Sequence, residues 1–285
     1  MRKSQAVMSL PERKPLLVLG TDDYASAVGH ALAQAGLLTL LARDPDVPVL
    51  RRAMSYDDAL EYGATHLGGV TACAVASPLW TSGGGTLGVT ALPAETLLDP
   101  ALIDGVIDAR MRRRDRKSDL RGTLPFAIGL GPGFEAGRNV DLAVETAPEA
   151  VGRILRRGAT IPAHGKSVSL GGAGRERFGR APCTGVWRTH MEIGDAVEAG
   201  AVIGVCGSAL VQAPLAGHLR GLVRYGTKVA EGHKLLEIDP RGSRAQCHGI
   251  SPRAAAIAAA TLLAVREACA MSRVSRQMEA AAWLA

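Results

Sequence analysis

Leu16-Leu-Val-Leu-Gly-Thr-Asp-Asp-Tyr-Ala-Ser-Ala-Val-Gly-His-Ala-Leu-Ala-Gln-Ala-Gly-Leu-Leu-Thr-Leu-Leu-Ala42 carries two apolar runs separated by a helical pattern. Leu16 to Leu19 is a short apolar run closed by Gly20, the pattern of a buried strand. Tyr24 to Ala35 offers helix formers with apolar residues at Ala25, Val28, Leu32 and Ala35, and Gly36 ends it. Leu37 to Ala42 is a second strand, so the segment reads as strand, helix, parallel strand. Further along the chain, Asp57 to Tyr62 reads as a short helix. Thr71 to Ser77, Ile103 to Ala109 and Phe126 to Leu130 read as strands, with Thr81 to Thr86 a flexible loop. Residues 15–170 are therefore expected to form a Rossmann-like α/β domain, behind a flexible tail at 1–14.

The pattern changes after residue 175. Ala181-Pro-Cys-Thr-Gly185 is answered by Ala213-Pro-Leu-Ala-Gly217, and Arg188, Gly194, Val197 and Gly200 by Arg220, Gly226, Val229 and Gly232. Every pair is 32 residues apart, with no gap. Short strands punctuated by glycine turns, repeated once, are expected to interleave because neither copy can bury a face alone. Gly194-Asp-Ala-Val-Glu-Ala-Gly200 resembles a turn of biotinyl and lipoyl domains, which implies a barrel-sandwich hybrid over 175–242. The segment between the copies, Gly204 to Ala213, contains no lysine, which excludes biotin or lipoate attachment there. Residues 243–285 are expected to be a C-terminal helical segment, with Ser251 and Pro252 as N-cap and first helical residue.

The 285 residues, 47% hydrophobic and 21% charged, suit about two soluble domains. Aromatics at 4% are too few for a protein that stacks on single-stranded nucleic acid. The net charge of +6 comes without a dense basic helix, so an anionic ligand or acidic partner fits better than DNA. No apolar run attains the ~18–20 residues of a membrane span, and the N-terminus lacks the apolar region of a secretory signal. Neither segment points to a membrane partner. The five scattered cysteines include no Cys-x-x-Cys, and the histidines show no ligand spacing, so no metal site is read. Reduced thiols suit a cytoplasmic setting.

Gly20 to Ala25 sits where a dinucleotide loop would sit, but Asp22 replaces the glycine that lets amides approach a pyrophosphate. A nicotinamide-dependent enzyme using this fold is the alternative that Asp22 opposes. Arg43 ends the second strand, either as a surface residue or facing a phosphate. Gly129-Leu-Gly-Pro-Gly-Phe-Glu-Ala-Gly137 follows a strand and reads as either a tight turn or an anion-binding nest. In the second reading Gly129, Gly131, Gly133 and Gly137 face Gly20 and Asp23 across one pocket. Arg110 to Lys117 is either a solvated basic loop or the edge of that pocket. Cys247, near Arg241 and Arg244, is either a buried inert thiol or a nucleophile whose thiolate those cations favour.

The run Gly129–Gly137, then Val144-Glu-Thr146, Gly152-Arg153, the Ala-Pro repeat, Arg220-Gly-Leu222, Asp239-Pro-Arg-Gly242, Cys247 and Ile250-Ser251 resembles, in that order, the YqeB family. These are accessory proteins of selenium-dependent molybdenum hydroxylases. Arg51-Arg52 with Ser55-Tyr56, Ala59 and Gly63 resembles another segment of that family. The family's N-terminal loop keeps Gly20, Asp23, Ala25 and Ser26 here but loses an arginine and two glycines. The resemblance implies a cytoplasmic maturation factor whose partner is a client molybdenum hydroxylase of the xanthine-dehydrogenase type, or a related metalloenzyme. The cofactor is left open, with a molybdopterin-type cofactor and a nucleotide as the candidates, and homo-oligomer formation is also open. It implies a pathway and no particular reaction.

Overall fold

The computed structural model describes residues 14–283 except 79, 81–84, 113–116, 164, 166 and 243–245. Most of the expected N-terminal tail, most of the 81–86 loop, the middle of the basic run, His164 and Arg244 lie outside the described residues.

The strands in chain order are β1 (Leu16–Leu19), β2 (Thr39–Ala42), β3 (Ala64–Leu67), β4 (Val70–Ala74), β5 (Thr86–Thr90), β6 (Gly105–Asp108), β7 (Ala127–Leu130), β8 (Glu135–Ala136), β9 (Leu142–Val144), β10 (Ile154–Leu155) and β11 (Gly158–Ala159). With them come the helices α1 (Asp23–Gln34), α2 (Ala59–Tyr62) and α3 (Ala94–Leu97). Nine of these strands form one mixed sheet in the order β10-β9-β7-β6-β1-β2-β5-β4-β3. Its interior is parallel, while β10 and β3 pair antiparallel at the two edges. Alternation along β1 sends Leu16 and Val18 to one face and Leu17 and Leu19 to the other, and all four are buried. Apolar runs rather than alternating patterns arise because both faces are covered.

The second region contains β12 (Phe178–Arg180), β13 (Gly185–Thr189), β14 (Ala196–Val197), β15 (Val202–Cys206), β16 (Ala209–Gln212), β17 (Gly217–Leu222), β18 (Lys228–Val229) and β19 (Lys234–Asp239). They make two four-stranded sheets, β12-β19-β17-β14 and β16-β15-β13-β18, around a core that includes Trp187, Leu219, Leu236 and Ile238. The 32-residue offset is kept in three dimensions. Trp187 pairs with Cys206 as Leu219 pairs with Ile238. Val197 of the first copy pairs with Gly217 of the second, and Gly185 of the first with Val229 of the second. The Gly194 amide donates to Leu219 O and the Gly226 amide to Trp187 O, each at 2.8 Å. The copies thus exchange a strand about an approximate twofold.

The chain then returns to the first region. Helix α4 (Pro252–Trp283) lies within the expected 243–285 segment and packs against α1. Ala254, Ile257, Ala258, Ala260, Thr261, Ala264, Val265 and Ala268 are buried, the spacing of one helical face. One expectation is corrected here. Pro252–Val274 is 23 residues with mean hydropathy 1.6, long and apolar enough to cross a membrane by length and composition. Its alanines raise the mean hydropathy although polar and charged residues interrupt the apolar run. The molecule is accordingly a mixed α/β protein with a large parallel/antiparallel sheet, a smaller all-β region and a long C-terminal helix.

Candidate functional site

Strand order reverses at β1, which is flanked by β2 on one side and β6 on the other. Loops leaving the carboxyl ends of such neighbours diverge and leave a crevice. A cleft of about 780 Å³ occupies that place. Gly20 to Tyr24, Asp44 and Arg110 to Arg112 form one wall, and Arg177, Arg220 and Glu237 of the second region form the opposite one. Among the described residues, nine arginines and a lysine line it against four carboxylates.

The first wall is built by a tight turn. Gly20 has φ +115°, and a Cβ there would lie 3.1 Å from that of Ala25. The Asp22 carboxylate then accepts from the amides of Tyr24 and Ala25, both at 3.0 Å, and caps α1. Burial and the neighbouring Asp23 push its carboxyl up from 3.8 to about 7. The amides that would receive a pyrophosphate in a dinucleotide site are therefore already taken by a side chain.

Asp23 begins a buried charge network. Arg51 donates from Nη1 to Asp23 Oδ2 at 2.7 Å and clasps Glu237 through Nε at 2.6 Å and Nη2 at 3.0 Å. Arg177 donates from Nε to Glu237 Oε1 at 2.9 Å, and Arg220 Nε stands 4.0 Å from that oxygen. Burial would raise the Glu237 carboxyl, but Arg51 and Arg177 overcome it and hold the group below its ordinary range. Asp239, two residues on, faces the same way and pairs with Arg241 at 2.6 and 2.8 Å. It too is held low, Arg241 and backbone donors outweighing burial.

At the rim, Arg110 pairs with Asp108, and Arg112 with Asp44 and Asp46. Met111 between them has φ +53°, a left-handed conformation that a non-glycine residue adopts at a cost. The start of α4 completes the lining. Ser251 Oγ accepts from the Ala254 amide at 3.3 Å, and Arg253 stacks 5.7 Å from the Tyr24 ring centre while donating to Thr146 O.

Of the residues singled out from sequence, Gly20 and Asp23 line the cleft, but Gly129, Gly131, Gly133 and Gly137 do not. The expectation that these glycines face Gly20 and Asp23 across an anion pocket is corrected. The loop is packed: a Cβ at Gly129 would strike the Phe134 ring at 2.2 Å, and one at Gly131 would meet Thr146 Oγ1 at 2.6 Å. The Gly131 amide donates to Val144 O, Asn139 donates to Gly133 O, and the Gly137 amide donates to Val140 O. Gly129 and Gly131 thus admit close neighbours, whereas a Cβ at Gly137 would meet nothing within 4 Å.

Cys247 is buried beside Asp239, Arg220 and Arg241. Burial, then Asp239, raise its thiol, and the two arginines do not offset them, so the expectation of a lowered pKa is corrected. Arg43 does not reach toward the cleft as a phosphate ligand. It is bidentate to Asp57 at 2.7 and 2.9 Å, and Thr21 Oγ1 donates to the same carboxylate. Sequence reasoning missed Arg177 and Glu237. A signal for Glu237 was present: two carboxylates, Glu237 and Asp239, alternate with apolar residues in Leu235-Leu-Glu-Ile-Asp239 and share one face of that strand. Among the described residues, no group of three or more His, Cys, Asp or Glu is placed to hold a metal ion.

No protein-family model matches the chain. It is 31% identical over 264 residues to "Uncharacterized protein YqeB" of Escherichia coli strain K12. That alignment covers 90% of the chain and 48% of the relative, so the chain spans about half the length of the curated protein it matches. Among solved structures, an aspartoacylase family protein from Mesorhizobium loti aligns over 79% of this chain and 85% of its own. That alignment has 11% identity and a TM-score of 0.26, too low to carry an argument.

Proposed function

We propose that this YqeB-like chain binds an anionic cofactor in the arginine-lined cleft and serves the maturation of a molybdenum hydroxylase of the xanthine-dehydrogenase type, or a related metalloenzyme, in the cytoplasm. The observation that carries the binding half is the excess of cationic side chains around the cleft, nine arginines and a lysine against four carboxylates among the described lining residues. Guanidinium forks match phosphate and carboxylate geometry, and a low-dielectric cleft strengthens each contact. The maturation half rests on the resemblance of the residues quoted above. The first region is read as Rossmann-like and the strand-exchanged repeat as a barrel-sandwich hybrid. With no lysine in Gly204 to Ala213, we assign that repeat to docking and not to carrying a group.

The test is to purify the tagged full chain from cells making molybdenum cofactor, oxidise the bound material, and measure released pterin fluorescence. Calorimetric titration with NAD and NADP runs beside it. Pterin in near-stoichiometric amount supports the reading. Micromolar nicotinamide nucleotide binding with no pterin would replace it with the dehydrogenase alternative. Arg175 and Arg180 are exposed cations of the lining. Reversing both to Glu is expected to weaken anion binding by roughly tenfold, about 1.4 kcal/mol, more so at low salt.

A further inference from the structure

Away from Cys247, the fold brings two other thiols together. Cys183 lies in the bend before β13, and Cys206 ends β15. Each is a free thiol, Cys206 buried and Cys183 half-buried. Their contacts are reciprocal. Cys183 Sγ donates to Cys206 O at 3.3 Å, and Cys206 Sγ donates to Cys183 O at 3.2 Å. Glycines flank both sulfurs: a Cβ at Gly207 would sit 3.5 Å from Cys183 Sγ, and one at Gly185 would sit 3.6 Å from Cys206 Sγ. Each sulfur thus reaches the other cysteine's backbone, and neither Gly185 nor Gly207 places a side chain beside it.

We propose that Cys183 and Cys206 form a reversible dithiol–disulfide site that exchanges electrons with a low-molecular-weight disulfide. The half-buried Cys183, as thiolate, attacks one sulfur of the small disulfide. The S–S bond breaks, one small thiolate leaves and takes up a proton, and a mixed disulfide remains. Cys206, losing its proton to water, attacks the Cys183 sulfur and expels the second small thiol. Two electrons pass from the protein to the small disulfide, and two thiols become one internal bond. Burial and the neighbouring Cys183 raise the Cys206 thiol, which makes it the resolving group, and closure quickens with rising pH. The bond ties the start of β13 to the end of β15 within the first copy of the repeat.

The test uses the full chain and oxidised glutathione at mildly alkaline pH, followed by denaturation, alkylation and intact mass. Two of the five thiols are expected to be lost together, without retained glutathione, and to return on treatment with dithiothreitol. Tryptic cleavage after Arg188 separates the two cysteines, so a non-reducing map is expected to show their peptides joined. Cys206→Ser is expected to stop the reaction at the Cys183–glutathione mixed disulfide. If that variant misfolds, timed alkylation of the native wild-type chain before and after oxidation reads the same pair. Independent glutathionylation of the two thiols, a link to another cysteine, or full alkylation of both after oxidation would overturn the proposal.

Discussion

Glu237 has no exposed surface and accepts from two arginines brought by distant parts of the chain, Arg51 and Arg177. Glu237→Gln keeps the volume and removes the charge, leaving Arg177 without its carboxylate and Arg51 with Asp23 alone. It is expected to cost about 3–5 kcal/mol in urea unfolding, well beyond the ~1 kcal/mol of an exposed pair. Glu237 and Asp239 have lowered folded-state pKa values, so the stability they supply is present above the ordinary carboxylate range and is lost as pH falls through their folded values. Asp22 acts with the opposite sign. Its pKa rises from 3.8 to about 7 on folding, so between those values the folded state holds a proton that the unfolded state has released. Its contribution therefore declines as pH rises from about 4 to 7. Asp22→Asn, which retains a capping oxygen, is expected to remove that slope from a melting-temperature profile and to stabilise the chain at pH 7 and above.

Elements in this protein are fixed by small residues at close approaches. Gly131 has φ +82° and Thr146 Oγ1 in the way of any Cβ, so Gly131→Ala is expected to destabilise the fold by about 1–3 kcal/mol. This reverses the order expected of an anion loop, in which binding would be lost and the fold kept; urea unfolding alongside ligand titration separates the two. Helix α4 meets α1 through alanines, with Ile257 the large buried side chain near its start. Ile257→Ala is expected to cost about 2–5 kcal/mol, measured by thermal or urea unfolding, because the rigid helix cannot collapse into the space.

At the scale of the whole molecule, the segment after β2 joins the two regions. Leu50 packs on the second core, and its carbonyl accepts from the Leu222 amide at 2.7 Å. Arg52 donates to Leu222 O at 2.9 Å, and Arg224 reaches back to Asp58 at 2.5 Å. Helix α4 returns to the first core after the second region is complete, so the second region lies between two segments of the first. Native-state hydrogen exchange is expected to give β1 and β19 amides the same opening free energy. The double variant Arg51→Leu, Arg224→Leu is expected to separate them, the β19 amides exchanging first.

The sequence by itself determined the strand–helix–strand start, because both sheet faces are covered and apolar runs stand out without alternation. It also determined the repeat, because each glycine turn must recur where the copies exchange strands, and Gly20 and Asp23 as cleft residues, because they follow β1. Strand β5, Thr86–Thr90, was not legible: five residues interrupted by Gly88 resemble a loop, yet they lie centrally between β2 and β4. Tertiary structure alone decided the rest of the site. Arg51, Arg177, Arg220 and Glu237 are up to 186 residues apart in the chain, and charge attraction leaves no periodicity between such distant positions. Tertiary structure also assigned Gly129 and Gly131 to packing, because a nest and a close contact require the same residues. Only the neighbour that meets the missing side chain distinguishes them.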